Sequence, residues 1–88
     1  LAGASGLLAR LAELPDTVDS VLVVGHNPDM QELATQLSKD GPKELLRELG
    51  VKFPTAALAG IVLPIEHWRD IRRAAGTLFD FATPKALI

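Results

Sequence analysis

Ser20-Val21-Leu22-Val23-Val24-Gly25-His26-Asn27-Pro28-Asp29-Met30-Gln31-Glu32-Leu33-Ala34 is the stretch whose reading decides the fold. Val21 to Val24 form an unbroken β-branched and aliphatic run, as expected of a strand covered on both faces. Gly25 frees the backbone to turn. Asn27 suits an N-cap, and Pro28 suits the first helical position, where its missing N–H costs nothing and its φ is already helical. A strand over Val21–Gly25 therefore hands over to a helix at Pro28. The helix start directs unpaired N–H groups, those of Asp29 and Met30 first, and the positive end of its dipole toward the carboxyl edge of a sheet. That is an anion site in outline, and His26 stands beside it.

Working outward, helices and strands alternate with no internal repeat and no low-complexity linker. Ser5 can cap a helix running to about Leu14, with Leu7, Leu8, Leu11 and Leu14 on one face and Pro15-Asp16 ending it. The helix from Pro28 to about Ser38 repeats Met30, Leu33, Ala34 and Leu37 at helical spacing, so this stripe is expected on the sheet. Asp40-Gly41-Pro42 breaks it. Pro42 opens a further helix through Leu49, with Leu45, Leu46 and Leu49 inward and Gly50 as its stop. Ala56 to Leu63 is a nearly all-apolar strand closed by Pro64. A brief helix over Glu66–Ala75, with Trp68, Ile71 and Ala75 on one side, leads to a last strand at about Thr77–Phe81. In that strand Thr77, Phe79 and Phe81 share one face and Leu78 and Asp80 the other. Trp68 and the phenylalanines read as core. The whole is an α/β layered domain, in which ligand sites gather beyond the carboxyl ends of strands.

Composition narrows the function classes. The 88 residues carry a net charge of −2, with nine basic and eleven acidic residues. The basic residues are scattered apart from Arg69, Arg72 and Arg73, which a solvated helix face shared with Glu66 and Asp70 explains, so no nucleic-acid partner is expected. No apolar run reaches the ~20 residues of a membrane span, and Leu1 to Leu14 is too interrupted for a signal peptide. With no cysteine there are neither disulfides nor thiolate metal sites, which fits a cytoplasmic location. His26 and His67 lack metal-ligand spacing, so neither metal nor cofactor is expected. His67 reads as a surface or capping residue. Hydrophobic residues make up 48% of the chain, more than a solitary domain this short needs, so some of its surface is expected to want a partner.

On spacing alone, a histidine after a strand is more often a loop or capping residue than a catalyst. The wording of the motif adds to that. Val24-Gly25-His26-Asn27-Pro28 before an amphipathic helix resembles the second-histidine motif of the histidine phosphatase superfamily, the phosphoglycerate mutase-like fold. The nearest likeness is to its small phosphohistidine phosphatase branch, the SixA type. The resemblance extends over nearly the whole chain: Leu11-Ala12-Glu13-Leu14-Pro15-Asp16 before Ser20, then Phe53-Pro54-Thr55-Ala56-Ala57-Leu58, Trp68, and the ending Phe79-Asp80-Phe81-Ala82-Thr83-Pro84-Lys85. Lys85 stands where the family tends to have arginine, and Asp29 where glycine is frequent. An acid there slightly opposes a bound anion while favouring the dipole.

The resemblance implies a three-layer α/β/α domain with a mixed sheet, of which residues 1–88 are the C-terminal part. It implies a phosphohydrolase acting through a phosphohistidine intermediate. His26 would be the second pocket histidine, and Gly25, Asn27, Asp29 and Met30 would shape the phosphate pocket. The family's Arg-His-Gly triplet, whose histidine is the nucleophile, is absent from the sequence. The same implication makes the domain incomplete, lacking its N-terminal half and first strand, and makes the 88 residues inactive alone. In the family that strand lies between those corresponding to Val21–Gly25 and Ala56–Leu63. A split sheet is then expected, with a cleft of roughly 10 Å or a pairing with the missing half or another chain. The implied substrate is a phosphorylated protein or a small phosphate ester or phosphoramidate. Many superfamily members add an acid for the leaving group, and the apolar Leu1-Ala2 stands near its place, which points to a labile phosphate. Two alternatives stand beside this: a non-catalytic domain that keeps the phosphate pocket for binding or assembly, and an unrelated α/β module.

Overall fold

The computed structural model describes residues 3–84; Leu1-Ala2 and Lys85, to which the sequence assigns significance, lie outside the described residues. Three helices, α1 (Gly3–Leu11), α2 (Asp29–Leu37) and α3 (Lys43–Val51), and a 3-10 helix (Trp68–Arg73) accompany three strands, β1 (Ser38–Asp40), β2 (Leu58–Val62) and β3 (Gly76–Ala82). The strands form one mixed sheet in the order β1-β3-β2, with β1 parallel and β2 antiparallel to the central β3. The domain is a small α/β unit.

Helical periodicity translates directly into burial. In α1, Ala4, Leu8 and Leu11 are buried, and Leu7 and Leu14 pack around them. In α2, Leu33, Ala34 and Leu37 are buried, with Met30 half-buried at the helix start. α3 buries Leu49 and packs Leu45 and Leu46 beside it. One apolar cluster joins α1, α2 and Ile71 of the 3-10 helix; a second joins Ala34, Leu49, Leu78 and Phe81. α2 contributes to both clusters.

Four expectations need correction. The run Val21–Gly25 is not a strand: residues 18–26 carry no regular secondary structure, and Leu22 and Val24 are 73% and 84% exposed while Val23 is half-buried. A continuous apolar run makes a central strand only when strands flank it on both sides. Here, among the described residues, β2 pairs with β3 alone and no strand lies against Val21–Val24.

The 3-10 helix buries a different face from the one expected. At three residues per turn its inward positions fall on 68, 71 and 74 rather than 68, 71 and 75. Accordingly Ala74 is buried and Ala75 exposed.

The β3 alternation is broken at Phe79. Gly60 pairs with Asp80 but Ile61 with Leu78, so Phe79 is an extra residue that resets which side faces in. Leu78 and Phe81 are both buried, and Phe79 is 60% exposed rather than core. Its ring lies against Gly60, where a Cβ would come within 2.6 Å of it.

The element ends also move. α1 begins at Gly3 rather than Ser5, α2 at Asp29 rather than Pro28, and Gly50 falls inside α3 rather than beyond it. The strand β1 was not anticipated. Gly76 lets β3 start against α2, since a Cβ there would collide with the Leu37 carbonyl. Gly41, at φ +147°, brings the turn after β1 onto Leu78, where a Cβ would lie 2.6 Å from the Leu78 carbonyl oxygen. A side chain at Gly41 is therefore expected to destabilise by about 1–3 kcal/mol, read as a lower urea midpoint for Gly41→Ala.

Candidate functional site

The residues singled out around His26 lie together at the entry to α2. His26, Asn27 and Gly25 are exposed, and Asp29 and Met30 are half-buried. The first turn forms because the His26 carbonyl accepts the Met30 N–H at 3.1 Å and the Pro28 carbonyl the Glu32 N–H at 3.0 Å. The N-cap is Pro28 rather than the expected Asn27, which stands one residue before it and supports the turn from the side, its Oδ1 accepting the Gln31 N–H at 3.2 Å. The Met30 N–H therefore donates within the chain, and among the two expected backbone donors Asp29 is the one at the opening of the helix. Gly25 does not take the left-handed conformation that only glycine favours, and a Cβ there would meet just the flexible end of the Met30 side chain, 2.9 Å from its methyl.

Asn27 also reaches across the chain. Its Nδ2 donates to the carbonyl of Phe53, twenty-six residues on. Val-Gly-His-Asn-Pro and Phe-Pro-Thr, two segments picked out separately by sequence, are thereby joined through one carboxamide. Gln31 Nε2 adds a parallel tie at 2.9 Å to the Leu49 carbonyl, so the last turn of α3 is also fastened to α2. Replacing Gln31 by alanine removes that partner from a half-buried carbonyl and is expected to cost about 1 kcal/mol, measured by urea unfolding.

His67 is placed apart, in a cluster that sequence reasoning did not find. Its Nδ1 lies 2.8 Å from Asp16 Oδ2; Asp16 Oδ1 accepts the Trp68 N–H at 3.0 Å; and the Trp68 indole N–H donates to the Val18 carbonyl at 2.9 Å. These bonds hold the chain entering segment 18–26 against the 3-10 helix. No local pattern predicts contacts some fifty residues apart. The hydrogen bond from His67, followed by that from the Trp68 N–H, holds the Asp16 carboxyl below its ordinary value of 3.8. A depressed folded-state value stabilises the fold above the ordinary carboxylate range, and that contribution is lost as pH falls through the folded value. The urea midpoint of the native chain is therefore expected to fall in acid more steeply than that of Asp16→Asn. Parallel acid limbs would mean that Asp16 contributes nothing.

Beside this cluster lies a cleft of about 530 Å³, between segment Val18–Val23 and the strand β2 with its flanks. Leu33, Leu37 and Ile71 contribute to its lining, Met30 reaches it, and Asp16 and His67 stand at it. Gly25, His26, Asn27 and Asp29 do not line it. Among the described residues no group of three or more His, Asp or Glu side chains could hold a metal ion. No described helix is long and apolar enough to cross a membrane.

Two uncharacterized proteins, from two strains of Mycobacterium tuberculosis, are each 30% identical to the chain over 81 residues, which is 90% of the chain and 51% of each relative. The chain thus spans about half the length of the curated relatives it matches. No protein-family model matches the chain, and no solved structure matches it.

Proposed function

We propose that this chain is the phosphate-holding C-terminal part of a phosphoglycerate mutase-like, three-layer α/β/α domain, and that the whole protein is a histidine phosphatase acting on phosphohistidine or a similarly labile phosphate. The observation that carries the reading is the Asn27 to Phe53 hydrogen bond, which brings the histidine motif and the Phe-Pro-Thr segment to one place. His26 stands exposed beside the first turn of α2, where a helix dipole favours an anion.

In this reaction the nucleophilic histidine of a separate Arg-His-Gly segment forms a bond to phosphorus as the bond to the leaving group breaks. Water then cleaves the phosphohistidine, releasing inorganic phosphate. His26 donates a charge-assisted hydrogen bond to the equatorial oxygens, on which negative charge is shared at each transition state. Asn27 holds the loop, and Asp29 opens the helix whose dipole faces the anion.

Two measurements test the proposal on the chain itself. Titration with inorganic phosphate should shift the ring resonances of His26 and leave those of His67 in place; shifts at neither, or at His67 alone, would remove the phosphate site. Phosphoramidate hydrolysis by the 88 residues alone should stay at the buffer rate, because the covalent step has no acceptor. Heat-labile turnover abolished by His26→Ala would make His26 itself the nucleophile.

A further inference from the structure

The bonds that hold segment 18–26 lie at its two ends. At the amino end Asp16 takes His67 Nδ1 at 2.8 Å and the Trp68 N–H at 3.0 Å, while the Val18 N–H donates to the Pro15 carbonyl and the Val18 carbonyl accepts the Trp68 indole N–H. At the carboxyl end the His26 carbonyl takes the Met30 N–H, and Asn27 joins Gln31 to Phe53. Between these ends, residues 19–25 make no hydrogen bond to other described residues, from backbone or side chain. Their backbone groups are left to water, and a stretch so poorly bonded moves without unfolding the rest. Val23 alone among them packs on the core.

The grip at the amino end is of a kind that releases. The side chains of Asp16 and His67 are 48% and 41% exposed, and ion pairs open to water hold weakly. Trp68 has two allegiances: its ring packs against the cluster of α1 and α2, whereas its indole N–H holds Val18. When the segment leaves, the ring stays. The same residues form one wall of the 530 Å³ cleft, since Val18–Val23 line it opposite β2, and Asp16 and His67 stand beside them. What frees the segment therefore moves a wall of the cleft.

We infer that residues 18–25 are a movable wall, hinged beside His26 and latched by Asp16, His67 and Trp68, and that release of the latch opens the cleft. The hinge falls at Gly25, which has no side chain to hinder rotation and directly precedes the fastened His26 carbonyl. Asp16 is the centre of the latch, because it accepts both bonds from the start of the 3-10 helix. The movement is independent of what His26 binds.

Trp68 is the one tryptophan of the 88 residues, so its indole N–H gives a single resonance that reports the bond to Val18. In the native chain this proton should exchange faster than the paired amides of β3, which open only when the sheet does. Asp16→Ala should accelerate indole exchange by about 10-fold or more with the β3 amides unchanged, and His67→Ala, which removes one bond of the two, by less. Nile red, a neutral apolar dye, should brighten with Asp16→Ala as the cleft opens to it. Asp19→Asn, an exposed carboxylate of the same wall that makes no bond, should change neither reading. Indole exchange as slow as that of β3, or unaltered by Asp16→Ala, overturns the latch. If Asp16→Ala speeds the indole and β3 together, the cluster is only a prop of the whole fold and the movable wall is rejected. Faster indole exchange with no change in the dye rejects the opening of the cleft.

Discussion

His26→Ala in the whole protein is expected to reduce phosphohistidine hydrolysis by about 10²-fold or more, the size of effect seen when a preorganised donor to a transition-state oxyanion is removed. The loss should fall on turnover rather than on KM, because charge accumulates on the equatorial oxygens as the reaction proceeds. Stability gives the control. His26 is exposed, and the hydrogen bond it makes to Met30 uses the backbone carbonyl, which alanine retains. The urea midpoint of His26→Ala should therefore stay within about 0.5 kcal/mol of the native chain. Turnover unchanged in the variant would take His26 out of the chemistry, whereas an equal fall in turnover and stability would mean that the side chain props up the fold. Asn27→Ala should behave differently, lowering both, since its carboxamide joins Gln31 to Phe53.

The sequence made legible those features that local chemistry controls. Three helices and two of the strands follow from apolar periodicity and from punctuation by Pro15, Gly41-Pro42 and Pro64, because a repeat of three or four residues commits a segment to one buried face. What escaped was set by partners distant in the chain. β1 is three polar residues with no period of their own, and they are a strand because the start of β3 lies alongside. Val21–Val24 has the composition of a central strand, yet its composition cannot supply the neighbours that would make it one. Phe79 is displaced by a bulge, a feature that depends on pairing register and leaves no mark in the alternation. At the candidate site, a helix opening just after His26 and Asn27 was readable to within one residue because capping chemistry is local, while the N-cap fell on Pro28 rather than Asn27. The Asn27 to Phe53 bond and the Asp16, His67 and Trp68 cluster were not, for each closes a loop of twenty-six residues or more.

Leu78→Ala is the substitution expected to cost most in stability, about 2–5 kcal/mol, the range for removing a large aliphatic side chain from a packed interior. Leu78 is fully buried on the central strand β3, among Ala34 of α2, Leu49 of α3 and Phe81. Its surroundings cannot collapse readily into the space. Gly41 is pressed onto its backbone from the β1 side, and Ile61 is its partner across the sheet in β2. An ordinary domain of this length is stable by only about 4–13 kcal/mol, so the loss would leave a chain close to half unfolded at the lower end of that range. Phe79→Ala, one residue along the same strand, removes a larger side chain but one that is mostly in water; it should cost about 1 kcal/mol or less. The ratio between the two is the decisive quantity, because simple alternation along β3 would put Phe79 with Phe81 on the buried face and make its removal costly as well.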